Sequence, residues 1–360
     1  MGAGLHSEGT PLVQASRGNW TETIHFGHVA VVDANGRLLA WAGDPGRIIF
    51  SRSALNPIIA VQAVLSGVLD ERGPDEEQLA ILTGRNEGTD RQVEVLEALL
   101  GKFGIGEEVL SLPQAYPLDK KGRLALLGSG QPPRPLYHAA AGRHVAVMAL
   151  SQCSGWPYAG YTRPEHPAQQ LILQRTAEFA GMGEGAIGQA QDSCGFPALA
   201  LPLWRLALAY ARLAAPPGDW ADAALQTAAR RTGAAMNRHP ALVEGPGRLA
   251  SVLLGDANAI ARSGEQGVFV FALRRQRLGV AVSIADGSEA ALPVAVAAIL
   301  ESLAATGQSG TQHSDGPRRL AAAVREAFAD EVLDDHGNKV GSIEPLVQLC
   351  FGERYPRSRF

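Results

Sequence analysis

Stretches that favour extended chain lie towards the two ends of this sequence, and its long middle is dominated by helical spacing. A sheet in such a chain must be assembled from segments far apart in sequence, because each strand has to find a partner for its backbone N–H and C=O groups. From His28 to Gly43, apolar residues flank Asp33-Ala34-Asn35-Gly36. An Asn-Gly step between such runs signals a hairpin, because both residues tolerate positive φ. Ile48–Phe50 adds a short extended run, and Gly267–Leu273 with Leu278–Ile284 reads as a second hairpin joined by residues 274–277. Between these, helices are expected over Ile58–Leu69, Glu76–Thr83, Thr89–Phe103, Val145–Ser151, Ala168–Ala180 and Leu199–Ala214, with another over Ala290–Leu303. Pro57 suits a first helical turn, where its missing N–H costs nothing. Residues 155–167 read as a Pro- and aromatic-rich loop, and residues 307–316 as a polar insertion. The pattern predicts one α+β unit over residues 1–360. Its antiparallel sheet comes from residues 20–50 and 265–360 and is packed with a large helical part over residues 56–245.

The chain has 360 residues, 46% of them hydrophobic and 19% charged, which is enough apolar material for a sizeable core. A net charge of −4 offers no basic footprint for nucleic acid, so the expected partner is a small-molecule substrate, with any partner protein unknown. Three cysteines, Cys153, Cys194 and Cys350, are too few and too odd for a disulfide framework, and point to a reducing, cytoplasmic setting. Met1–Ser16 lacks a cationic start followed by an apolar run, and no stretch reaches the ~18 apolar residues a membrane helix needs. Neither export nor membrane association is expected.

Several motifs then fall in a fixed order. Near the start come Arg17-Gly18, Glu22, His25 and Gly27, followed by Arg52-Ser53-Ala54-Leu55-Asn56-Pro57 and Gly142-Arg143-His144. Gly160-Tyr161 with Pro164-Glu165-His166-Pro167 and Gln169 follows, then Asp192-Ser193-Cys194-Gly195-Phe196-Pro197. The stretch from Met236 to Gly247, Gly264–Gly267, Asp286-Gly287 and Asn338–Gly341 complete the series. Together they resemble the asparaginase II family, rhizobial type, along nearly the whole chain. The resemblance implies a fold like that of serine β-lactamases and glutaminases, and an amide hydrolase; family members resemble dimers, so a homodimer is expected.

A serine hydroxyl becomes a nucleophile only when a neighbour takes its proton. The resemblance implies a Ser-x-x-Lys pair for that work, and here Ser53 is present but Asn56 stands at the lysine position. An amide has no useful proton-accepting nitrogen near neutrality. The family's second Ser and its neighbouring His align with Arg85 and Asn86, and its second Lys aligns with Arg262, whose guanidinium stays protonated. Ser283 stands where a later motif has Lys, and none of the four lysines, Lys102, Lys120, Lys121 and Lys339, falls in a motif. Some members carry zinc through two cysteines and a lysine. Cys194 matches one position, whereas Ala140 and Arg143 occupy the others, and one thiolate does not make a zinc site. No metal or other cofactor is expected.

What survives defines the candidate site. Ser53 reads as a nucleophile or hydrogen-bonding group, against the plainer role of a helix cap. His144 and His25 are the remaining acid–base candidates, because imidazole titrates near neutrality. Asp192 is a further catalytic candidate and Cys194 a substrate-binding one, against the plainer reading of a turn in which Asp often caps backbone amides. Arg52, Asn56, Arg85, Asn86, Arg143, Arg262 and Gln266 are candidates for a polar lining that binds a carboxylate or another anion, a task that suits the Arg fork. The resemblance makes Glu22 a candidate partner for a substrate ammonium. The reading is an enzyme repurposed from Ser–Lys hydrolysis, acting on an amine- or carboxylate-bearing metabolite by positioning and electrostatics, as a cyclase or transferase of specialised metabolism. Retained asparaginase or related amidohydrolase activity through Ser53, and a non-catalytic ligand-binding or partner-regulating role, are the alternatives.

Overall fold

The computed structural model describes residues 9–67, 76–218, 220, 222–306 and 315–352. The strands are β1 Thr10–Arg17, β2 Trp20–Asp33, β3 Leu38–Ala42, β4 Ile48–Phe50, β5 Gly188–Gln191 and β6 Pro197–Pro202 in the first part of the chain. In the second part they are β7 Ala259–Glu265, β8 Val268–Leu273, β9 Leu278–Ile284, β10 Glu331–Leu333, β11 Lys339–Pro345 and β12 Cys350–Phe351. Among the described residues, nine of them form one antiparallel sheet with the path β10-β11-β1-β2-β9-β8-β7; β3 lies beside β2 and β12 beside β3. β4, β6 and β5 make a separate three-stranded sheet.

The long strand β2 holds the larger sheet together. Its first half pairs with β1, from Arg17↔Trp20 to Thr10↔Gly27, and its second half pairs with β9, from Gly27↔Ile284 to Asp33↔Leu278. Thus the two ends of the chain meet in one sheet, as the distribution of extended stretches predicts. The expected first hairpin is present, and Gly36 takes positive φ at its turn. Every residue of β8 and β9 is buried, so both faces of the sheet centre are covered. The helix Leu203–Ala214 approaches so closely that a Cβ on Gly279 would lie 2.0 Å from the Ala207 carbonyl oxygen. The helix Leu292–Ala305 packs against β1, β9 and β11, and carries the helix Asp315–Ala327.

Three readings of the sequence are corrected. Residues 199–202, expected at the start of a helix, belong to β6; buried and half-buried residues alternate along Pro197–Pro202, and the helix begins only after Pro202, at Leu203. Two main-sheet strands were not anticipated: β1, and β7, where Arg262 interrupts the apolar run. The helix opened by Pro57 spans Asn56–Leu65 and is capped at Ser66. The remainder of that expected helix, Val68 and Leu69, lies outside the described residues, as do residues 307–314 of the expected insertion. Among the described residues, no helix is long and apolar enough to cross a membrane.

Candidate active site

A cleft of about 440 Å³ opens where the two sheets and the helical part meet. Its floor is the 3-10 turn Arg52–Leu55, which runs straight into the helix Asn56–Leu65 and lies beside β7. Arg52 adopts φ 48°, a left-handed conformation that costs a residue with a Cβ and that clusters at functional sites. Its exposed guanidinium pairs with no carboxylate among the described residues. Ser53 does not cap the helix: its hydroxyl donates across to the Ser263 carbonyl oxygen at 3.3 Å. A carbonyl oxygen can hold that proton in a hydrogen bond but cannot remove it.

Asn56 is 3% exposed, and its amide is oriented by what surrounds it. Nδ2 donates to the Gly84 carbonyl oxygen at 2.8 Å, and since that oxygen can only accept, Oδ1 must face the other way. Oδ1 has no donor, which leaves an unsatisfied acceptor in a residue of the cleft wall. An orphaned buried acceptor costs about 1–3 kcal/mol, and a bound N–H donor would recover that loss.

The guanidinium groups along the walls are largely committed. Arg85 donates to Glu87 at 3.0 Å, and its Nε lies 2.7 Å from Glu265 at an angle that makes an ion pair rather than a hydrogen bond. Arg143 donates to Asp192 at 2.6 Å and sits over the Phe196 ring at 4.2 Å. The other Asp192 oxygen accepts from the Cys194 and Phe196 amides at 2.8 and 2.9 Å, fixing the turn between β5 and β6. Cys194 is half-buried there, and burial pushes its thiol up from the ordinary value, with the Asp192 carboxylate adding to the effect.

The cleft therefore gathers Arg52, Ser53, Asn56, Arg85, Arg143, Asp192 and Cys194 from the sequence-derived set. The other candidates lie elsewhere. His144 is fully buried with Nδ1 against the Tyr161 hydroxyl at 2.6 Å, and burial, reinforced by the Arg143 charge, drives its pKa down to about 2. It is a neutral packing group and not the acid–base residue expected. Arg262 is also fully buried: it is paired with Glu244 and donates to the Thr83 carbonyl oxygen at 3.1 Å. Asn86 ties the loop to Leu136 at 2.5 Å and His138 at 3.3 Å through their carbonyl oxygens. Glu22 pairs with Arg17 at 3.2 Å, His25 pairs with Asp286 at 2.6 Å, and Gln266 is exposed; none of the three lines the cleft.

Two titratable lining residues were missed, Glu265 and His138. Glu265 has φ 64° and Gln266 has φ 53°, a bend ahead of Gly267. His138 stands just ahead of the helix Ala141–Cys153 and of the Gly142-Arg143-His144 motif, and a histidine there was the available signal. The zinc set implied by the family does not fit this cleft. Ala140 has no donor atom and Arg143 is engaged with Asp192, so only Cys194 of the three positions retains a metal-binding group. Among the described residues, no three His, Cys, Asp or Glu side chains are grouped so as to hold a metal ion.

The family model described as L-asparaginase II matches residues 13–345. The chain belongs to that family, and its described residues form an α+β architecture. Among solved structures, a β-lactamase from Mycobacterium bovis is 14% identical with a TM-score of 0.38, the match covering 83% of this chain and 94% of that one. A protein from Bacteroides dorei, described as a β-lactamase, is 13% identical over 72% of this chain and 84% of that one, with a TM-score of 0.38. Mglu in its native form is 14% identical over 73% of this chain and 57% of that one, with a TM-score of 0.33. No curated protein sequence matches.

Proposed function

We propose that this chain is a small-molecule enzyme that binds an amine- or carboxylate-bearing metabolite in the asparaginase cleft and acts on it without a covalent acyl-serine. The observation that carries this reading is the environment of Ser53, whose hydroxyl is held by a carbonyl oxygen while an amide stands at the position of the family's base. Both carboxylates of the walls are engaged by guanidinium groups, Glu265 by Arg85 and Asp192 by Arg143. Among the described residues Arg52 is an unpaired cation and Asn56 carries an unpaired acceptor, which suits a ligand bearing a carboxylate and an N–H group. Fixed dipoles and charges of this kind assist a ring closure or group transfer by holding the reacting atoms together and stabilising the charge that develops.

The test joins ligand binding to a search for the intermediate. A thermal-shift screen of amino acids and small carboxylates is expected to give stabilising ligands, with the effect lost in Arg52→Ala and reduced in Asn56→Leu. Intact-mass measurement of protein quenched during incubation with asparagine or glutamine is expected to show no acyl adduct. An adduct that disappears in Ser53→Ala would restore the amidohydrolase reading. Binding with no turnover of any stabilising ligand would leave a ligand-binding protein.

A further inference from the structure

His138 lies half-buried in the cleft wall, after the short turn Pro135–Tyr137 and just ahead of the helix Ala141–Cys153. Its backbone is pinned from both sides: the amide donates to Pro135 at 3.0 Å, and the carbonyl oxygen accepts from Ala141 at 3.0 Å. The ring is pinned as well, because Nδ1 accepts from the backbone N–H of Ala140 at 3.1 Å. A backbone N–H has only its proton to offer, so Nδ1 carries its lone pair, and the ring proton of the neutral imidazole resides on Nε2. Nε2 has no partner among the described residues, nor is it sealed from solvent, so it is the ring atom available to the cleft.

Protonating this ring would place a hydrogen on Nδ1 facing the Ala140 N–H, and would place a cation at the positive end of a helix that has no side-chain cap. Of the charged groups around it, Glu265 and Asp192 favour the imidazolium, but each is paired with a guanidinium, Arg85 and Arg143 respectively. Burial acts against the charge and is the larger influence, holding the imidazole below its ordinary value. Near neutrality the ring is therefore uncharged, presents N–H, and has no lone pair free to act as a base.

We propose that His138 donates its Nε2–H to the carbonyl oxygen of the substrate, so that the substrate is a carbonyl compound whose oxygen gains negative charge during the reaction. This rests on the reading of the cleft as a small-molecule site. A neutral donor can do this work because it keeps its proton while polarising the carbonyl, and the helix N-terminus beside it stabilises the same developing charge. No covalent bond to the protein is needed.

Nitrogen-15 NMR of the imidazole groups in the unliganded protein tests the first half directly. The expected His138 spectrum has an unprotonated Nδ1 and a protonated Nε2 at neutral pH, with the imidazolium forming at lower pH than in a free histidine. A proton on Nδ1, or an imidazolium at neutral pH, overturns the proposal whatever the protein's activity proves to be. For the second half the probe is L-asparagine, which carries both a carbonyl and an ammonium. The Nε2–H signal is expected to move on addition, binding is expected to weaken about tenfold in His138→Phe, and most of that loss should return in His138→Gln, which restores an N–H donor. An Nε2–H signal that stays fixed throughout the titration, or equal affinity of the Phe and Gln variants, overturns it. Ammonia release and acyl-serine formation are read separately, so failure of the wider reading is distinguishable from failure of this one.

Discussion

At the scale of single residues, the same substitution has different consequences at different depths. Arg143 and Arg262 both stand where the family has lysine, yet Arg143 faces the cleft beside Asp192 while Arg262 is sealed under it with Glu244. That Arg262 cannot be a base was legible from its chemistry; that it is absent from the lining was not, because burial depends on a partner 18 residues earlier in the chain. Removing one member of a buried pair leaves the other charged and unsolvated. Arg262→Leu is accordingly expected to cost roughly 3–5 kcal/mol in chemical denaturation, and a variant as stable as the parent would contradict the assignment. His144 gives a pH dependence. Its folded pKa of about 2 lies below the ordinary 6.5, so as pH falls the unfolded chain takes the proton first. The stabilisation that comes from keeping this ring neutral is complete above pH 6.5 and is lost progressively towards pH 2. Urea titrations near neutrality and in mild acid should show a His144-dependent slope of up to about 1.4 kcal/mol per pH unit that is missing from His144→Phe. An equal acid sensitivity of the two proteins would place the titrating group elsewhere.

At the scale of elements, local chemistry decided most boundaries. The helix Asp90–Phe103 starts at Thr89, whose side chain accepts from the Gln92 amide while Gln92 answers the Thr89 amide, and it ends at Gly104 in the left-handed region. Both signals are legible in the residues themselves, a Thr three positions ahead of a Gln and a Gly just past the last apolar position. Thr89→Ala should therefore destabilise the protein by about 1 kcal/mol, measured by denaturant unfolding, without altering ligand affinity. β6 shows the opposite case. Its residues 197–202 are nearly all apolar, so period two and period 3.6 look alike in sequence, and only pairing with β4 and β5 makes the strand visible. Close contact between elements was equally hidden. A methyl group at Gly279 would meet the Ala207 carbonyl oxygen, a backbone atom that moves only with its helix. Gly279→Ala should cost about 1–3 kcal/mol or more, and a soluble variant of unchanged melting temperature would argue against this packing.

For the whole molecule, the frame is more legible than the site. Extended segments at the two ends predicted a sheet built across the chain, and β2 with β9 supplies that join. The cleft draws on the turn after β4, the loop at Arg85, the approach to the helix Ala141–Cys153, the β5–β6 turn and the bend at Glu265. Motif order identified most of these segments, but motif order cannot say which side chain of a segment faces inward. His138 and Glu265 were therefore missed while His144 and Arg262 were included. Ser53 hydrogen-bonds a carbonyl oxygen and has an amide at the position of the family's base, so it is not expected to act as a nucleophile. Ammonia release from asparagine and glutamine by the purified protein, run beside Ser53→Ala, tests it most directly. No release above the uncatalysed rate is expected from either protein, and release by the parent that vanishes in Ser53→Ala would show that Ser53 is a working nucleophile.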